Sequence, residues 1–134
     1  MTARNRKELL DAAKMAAVKA YSPYSRFRVG AAVQGTQGIT SGCNVENASY
    51  GLTLCAERNA LSSAVTSGNR KIKAIAVACI DAAPGTGLSE LMPCGACRQW
   101  IQELAPDAEI IILGCERVFS ISDLLPDPFS LKRR

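Results

Sequence analysis

A chain of 134 residues with six cysteines and no histidine has few ways to hold a transition metal. The spacing of three of those cysteines narrows the choice further. Cys94 and Cys97 stand three apart in Pro93-Cys94-Gly95-Ala96-Cys97, and Cys55 stands far upstream in Leu54-Cys55-Ala56-Glu57. Two cysteines three apart on the first turn of a helix lie on one face. A fold that uses all three must therefore bring two helix amino termini to one point, where their partial positive charge favours thiolate over thiol. Three thiolates with one free carboxylate, Glu57, fit a catalytic metal site better than a structural one. A structural zinc site is closed by four protein ligands, whereas a catalytic site keeps a position for water. Without imidazole, such a site is all-thiolate, and proton transfer falls to carboxylates.

Glu57 poses a geometric condition. Two residues beyond Cys55 in a regular helix, it points to nearly the opposite side. Convergence requires Cys55 at the irregular entry to the helix, with Glu57 reaching across to water activated by the metal. On spacing alone, Glu57 is equally a proton carrier or a first-turn acid that stabilises the helix dipole. Zinc with three thiolates carries a net negative charge, which weakens it as a Lewis acid. Arg58 and Arg98, each beside a motif residue, are the candidates to draw charge from the thiolates by hydrogen bonding, and Arg58 is the better placed. Cys43, Cys79 and Cys115 lack metal-ligand spacing and read as small buried hydrophobes.

The length suits a single domain spanning 1–134. Six cysteines in a chain whose start (Arg4, Arg6, Lys7) leads into an amphipathic pattern, not a secretory signal, argue against a disulfide framework and for a cytoplasmic protein. No apolar run approaches membrane-spanning length. The formal charge is +4, but the basic residues gather in Arg4-Asn5-Arg6-Lys7 and Lys132-Arg133-Arg134. These read as solvated termini, and no basic stripe suggests nucleic acid.

Periodicity predicts a helix from Asn5 to about Tyr21, ended by Pro23, and a strand over Phe27–Val33. A turn at Gly35–Gly38 leads to a strand over Ile39–Val45. A helix over Ala56–Thr66 stops at Gly68, and Ile72–Ile80 reads as a central strand covered on both sides. After a loop at Ala82–Leu91, Pro93 takes the first position of a helix reaching Leu104. Strands at Glu109–Leu113 and Arg117–Ile121, then a helical turn at Ser122–Leu125, complete the order. The sum is an α/β fold, a three-layer α/β/α sandwich around a mixed sheet of about five strands.

These motifs resemble the zinc-dependent cytidine deaminase family, and among its members the small homotetrameric enzymes. Cys55-Ala56-Glu57 and Pro93-Cys94-Gly95-Ala96-Cys97 correspond to the deaminase signature, with cysteine where many relatives have histidine. The resemblance extends through Tyr21-Ser22-Pro23-Tyr24-Ser25, Phe27-Arg28-Val29-Gly30-Ala31-Ala32, Gly42–Ala48 and Leu124–Phe129. It implies one zinc per subunit and hydrolytic deamination of cytidine or deoxycytidine, with Glu57 carrying protons from water to the ring nitrogen and the leaving amine. It also implies that Asn44 and Glu46 hold the sugar hydroxyls, that Phe27 packs on the base, and that the Ala56 backbone reads the base's polar edge. Tyr50 and Phe129 match positions that complete a neighbouring subunit's site. The partner so implied is a small nucleoside, with neither nucleic acid nor membrane. Two readings from other classes are a zinc staple closed by a fourth cysteine and a thiol oxidoreductase using Cys94 and Cys97. The second leaves Cys55 and Glu57 without a role.

Overall fold

The computed structural model describes residues 1–133, so Arg134 of the basic carboxyl terminus lies outside the described residues. The chain forms α1 (Ala3–Ala17), β1 (Val29–Gly35), β2 (Gly38–Cys43), α2 (Ala56–Thr66), β3 (Ile72–Cys79), α3 (Gly95–Leu104), β4 (Glu109–Ile112), β5 (Val118–Phe119) and α4 (Ile121–Leu124). Its five strands run in the order β2-β1-β3-β4-β5. The β1–β2, β1–β3 and β4–β5 pairs are antiparallel, and β3–β4 is parallel. The sheet is mixed, as expected.

The two faces of β3 explain the layering. Ile75 and Val77 pack with Val33, Ala60, Leu61, Ile101 and Ile110 in the core beneath α2 and α3. Ala74, Ala76 and Ala78 face the other way and pack with Leu9 and Ala13 of α1 and with Ala32 and Ile111. Bulky residues fill one face of β3 and alanines the other. The close approach of α1 is tightest at Gly30, where an added Cβ would stand 1.8 Å from the Ala13 carbonyl oxygen. Burying Leu61 completely contributes on the order of 2 kcal/mol, so this cluster anchors α2 firmly.

Several boundaries differ from those predicted. Helix α1 starts at Ala3, with Thr2 Oγ1 accepting the Asn5 N–H at 3.1 Å, and ends at Ala17, well before Pro23. Lys19 and Ala20 close it with three-residue turns, so the apolar stripe stops one turn early. Strand β1 begins at Val29 and not at Phe27, because the Phe27 peptide groups bond to side chains instead of a ladder. Pro93 precedes the cap of α3 instead of occupying its first position, since Cys94 is the N-cap. The last strand is only Val118–Phe119, and the final helix starts one residue earlier, at Ile121, behind a Ser120–Asp123 capping box. Helix α2 has the predicted bounds.

Candidate metal centre and its cavity

Cys55 and Cys94 occupy the same structural position in two helices. Each is the N-cap of its helix with extended backbone, φ −72° and ψ 154° for Cys55, φ −69° and ψ 171° for Cys94. Their carbonyls accept the first helical bonds, from Asn59 N–H and Arg98 N–H. Serine or aspartate at such a position would turn its side chain back on the helix. Neither sulfur makes a side-chain cap bond. Cys97 is the third helical residue of α3, and N-cap and third-residue side chains are neighbours for the same reason that a capping box works.

The three sulfurs lie within 4.8 Å of one another. Cys55 to Cys94 is 3.8 Å and Cys94 to Cys97 is 3.6 Å. Ligands at tetrahedral angles with zinc–sulfur bonds of ~2.3 Å stand about 3.8 Å apart, so the donor set fits a zinc ion. The described residues contain no fourth cysteine, histidine or carboxylate in that cluster, which leaves the coordination short of a closed structural site. Cys43, Cys79 and Cys115 are half-buried and do not belong to the sulfur cluster.

Helix positions bring this about. Gly42 of β2 lets α2 lie directly on the strand, since a Cβ there would be 2.5 Å from the Ala60 backbone nitrogen. Asn59 Nδ2 donates to the Cys43 carbonyl at 2.7 Å and fixes the register of α2 along β2. Leu54, just before Cys55, exchanges hydrogen bonds with Val45 in an isolated bridge. The α3 start is held by Arg98, which donates to the Pro93 carbonyl at 2.8 Å and to the Leu124 carbonyl at 2.7 Å. Arg98 is therefore a backbone brace. Arg58 is the arginine at the sulfurs: its Nη2 donates to Cys55 Sγ and to the Thr53 carbonyl, both at 3.3 Å.

Electrostatics follow from this geometry. Hydrogen bonding from the Cys97 thiol, opposed by burial and reinforced by Arg58, draws Cys55 down to about 5. Cys97 moves up in turn, because it donates to Cys55 and lies buried beside other negative groups. One thiolate thus forms readily, and placing all three in the charged state calls for a cation. Glu57 is 4 % exposed. Burial pushes its carboxyl up to about 7, with the Cys55 charge acting in the same direction. A carboxyl near neutrality both takes and returns a proton under physiological conditions.

Cys55, Cys94 and Glu57 open into a cavity of about 220 Å³ whose walls include Phe27, Asn44 and Ala56. Cys97 lies buried beneath the other two sulfurs. Glu46, Tyr50, Arg58 and Phe129 are not among the cavity walls. Glu46 is buried nearby, its carboxylate taking the Tyr24 and Ser25 N–H groups at 3.0 and 3.1 Å and the Ser25 hydroxyl. These donors outweigh the opposing effect of burial and hold its carboxyl below the usual range. Tyr50 and Phe129 are 68 % and 67 % exposed. Cys79, Glu90, Leu91 and Met92 also line the cavity and carry no sequence motif. The position of Glu90–Met92 immediately before the Pro93-Cys94 motif was the one available signal for them.

The match to the cytidine and deoxycytidylate deaminase zinc-binding region covers residues 3–114, and the chain belongs to that family. Its relatives include cytidine deaminases of Mycobacterium tuberculosis, 48 % identical with 89 % of this chain and 85 % of that protein aligned, and of Halalkalibacterium halodurans, 44 % identical over 94 % and 95 %. The crystal structure of the Burkholderia pseudomallei cytidine deaminase superposes with a TM-score of 0.81 at 48 % identity, covering 96 % of this chain and 100 % of that one.

Proposed function

We propose that this chain catalyses the hydrolytic deamination of cytidine and deoxycytidine to uridine and deoxyuridine, with release of ammonia. One observation carries the reading: a buried carboxyl, Glu57, lines the same small cavity as Cys55 and Cys94 of a sulfur trio spaced for zinc. The family membership and the relatives' names supply the substrate class.

Cys55, Cys94 and Cys97 hold one zinc per chain, which when bound makes water nucleophilic near neutral pH. Glu57 takes one proton of the attacking water and delivers it to the ring nitrogen beside the amino-bearing carbon. It then takes the second proton from the hydroxyl added at that carbon and passes it to the amine, which leaves as ammonia as the carbon–nitrogen bond breaks and the carbonyl forms. Arg58 withdraws charge from Cys55 and so keeps the metal electrophilic. Phe27 packs against the base, the Ala56 backbone at the head of α2 meets its polar edge, and Asn44 and Glu46 receive the sugar hydroxyls. No lysine or arginine is among the residues lining the cavity, which favours a free nucleoside over a polynucleotide.

Residues 1–134 act as one deaminase domain in a homotetramer with sites shared between subunits. Support comes from the apolar surface beside the site, where Tyr50, Leu52 and Leu54 are exposed and Tyr50 meets Tyr24 edge-on at 6.1 Å. Phe129 is tied by its own carbonyl to Gln99 at 3.0 Å while its ring stays exposed, free to enter a neighbour's site. A cytoplasmic setting agrees with six free cysteines and with the absence of any described helix long and apolar enough to cross a membrane.

The test is an absorbance assay with cytidine on purified, zinc-loaded protein, with uridine and ammonia counted at the end. One uridine and one ammonia per cytidine are expected. No turnover at full zinc loading would sink the reading. A fully active monomer in sedimentation would remove the shared-site role of Tyr50 and Phe129.

A further inference from the structure

Phe27 lies just ahead of β1, outside the sheet ladder, yet both of its peptide groups are held by side chains. Its N–H donates to Ser25 Oγ at 3.0 Å, and its carbonyl accepts from Asn44 Nδ2 at 2.9 Å. Asn44 Oδ1 accepts the next free N–H, that of Val29, at 2.9 Å. Ser25 in turn donates its hydroxyl hydrogen to Glu46 Oε2. A hydroxyl has one hydrogen and two lone pairs. Ser25 therefore gives its donor to Glu46 and an acceptor site to Phe27, and the chain Phe27–Ser25–Glu46 has one direction.

The turn that makes this possible is strained. Arg26 has φ 56°, in the left-handed region that a residue with a side chain seldom adopts. Its N–H bonds the Ser22 carbonyl at 2.9 Å, and the Ser25 hydroxyl bridges across it. Glu46 already has three donors on its carboxylate. About one of its four acceptor sites is left for a further donor. Which site stays free is set by where Ser25 stands.

We propose that Ser25 is a positioning residue: its hydroxyl couples the Glu46 carboxylate to the Phe27 backbone, and so sets the sugar-receiving group and the base-packing ring relative to each other. This rests on the nucleoside reading above and adds a specificity element to it. Asn44 secures the other side of Phe27, so the aromatic wall and the sugar-binding pair form one hydrogen-bonded unit. Recognition of base and sugar is then joined: a change at Ser25 weakens the hold on both without touching the metal or Glu57.

The experiment measures initial rates for zinc-loaded wild type, Ser25→Ala, Ser25→Gly and Ser25→Thr, on cytidine and on an analogue lacking both ring hydroxyls of the sugar. Thermal midpoints are recorded alongside. With alanine, KM for cytidine should rise about tenfold, the loss typical of one hydrogen bond to a charged group. The turnover number kcat should stay within about twofold, as for binding lost equally from ground and transition states. Threonine, which keeps the hydroxyl, should restore KM. The penalty should shrink on the hydroxyl-free analogue, and glycine should behave as alanine if alanine perturbs the turn. An unchanged KM in the truncated variants, a fall in kcat at constant KM, equal penalties on both substrates, or a folded threonine variant as impaired as alanine would each overturn the proposal. A wild type that does not turn over cytidine at full zinc loading would instead overturn the nucleoside reading itself.

Discussion

The corner where Cys55, Cys94 and Cys97 meet and the wall that carries Phe27 and Val29 share one cavity, but they are built differently. At the corner, helix caps leave the sulfurs free of backbone duties and aim them at a common point. Along the wall, the polar side chains of Ser25, Asn44 and Glu46 are engaged with backbone groups between Tyr24 and Val29. The corner takes its reactivity from side-chain chemistry at rigid helix ends. The wall takes its shape from a hydrogen-bond network that replaces a sheet ladder. Changes at the corner should therefore act on the chemical step, and changes at the wall on binding.

The largest effect that would test this division is expected from Glu57→Gln. Its kcat should fall by about 10²–10⁴-fold with zinc content unchanged by elemental analysis. Comparable activity in both proteins would remove Glu57 as the proton carrier and reduce the corner to a metal staple.

Arg58→Ala comes next. It deletes the donor at 3.3 Å from Cys55, and loss of such a partner typically costs 10–100-fold in metal affinity or activity. Competition with a zinc chelator measures the affinity. Arg98→Ala should instead lower the thermal midpoint, because its bonds go to the Pro93 and Leu124 carbonyls. The same zinc affinity loss in both variants would erase the distinction between tuning and bracing.

Gly42→Ala tests how the corner is placed. The new Cβ meets backbone at 2.5 Å, so α2 must shift at a cost of about 1–3 kcal/mol, read by denaturant unfolding. Because Cys55 caps α2, zinc affinity should fall with stability. Gly30→Ala, under α1, should destabilise without moving the sulfurs.

The smallest effect concerns acid. Arg28 donates three hydrogen bonds to Asp81, joining the wall to the end of β3. These bonds hold the Asp81 carboxyl down at about 2, below its ordinary 3.8. A depressed folded value means that its stabilisation is complete above the unfolded value and fades as pH falls from about 4 to about 2. Asp81→Asn should flatten the thermal midpoint's dependence on pH in that window. The pair is solvent-screened, so the change near neutrality should be slight.

These cases also show what could be read without coordinates. The α2 bounds, the hairpin turn and the mixed sheet were legible because capping residues, glycines and apolar periodicity act locally. The end of α1 and the start of β1 were not. Val18 and Ala20 continue the helical pattern by composition, and Phe27 has the residue type of a strand, while its peptide groups are taken by the Ser25 and Asn44 side chains instead of a neighbouring strand. Arg58 and Arg98 were both motif neighbours, with Arg58 the better placed, but their different acceptors are visible only in the fold.

By itself, the sequence determined the donor set: three thiolates, no imidazole, and one carboxyl two residues from the first cysteine. Such chemistry resides in residue type and survives any description of the fold. Only the tertiary structure decided that Cys55 and Cys94 are caps at equivalent helix ends, that Glu57 is buried against them, and that Ser25 lies between Glu46 and Phe27. Hydrogen bonds and burial depend on distances between segments far apart in the chain, and those distances are set by the packing of α2 and α3 on the sheet.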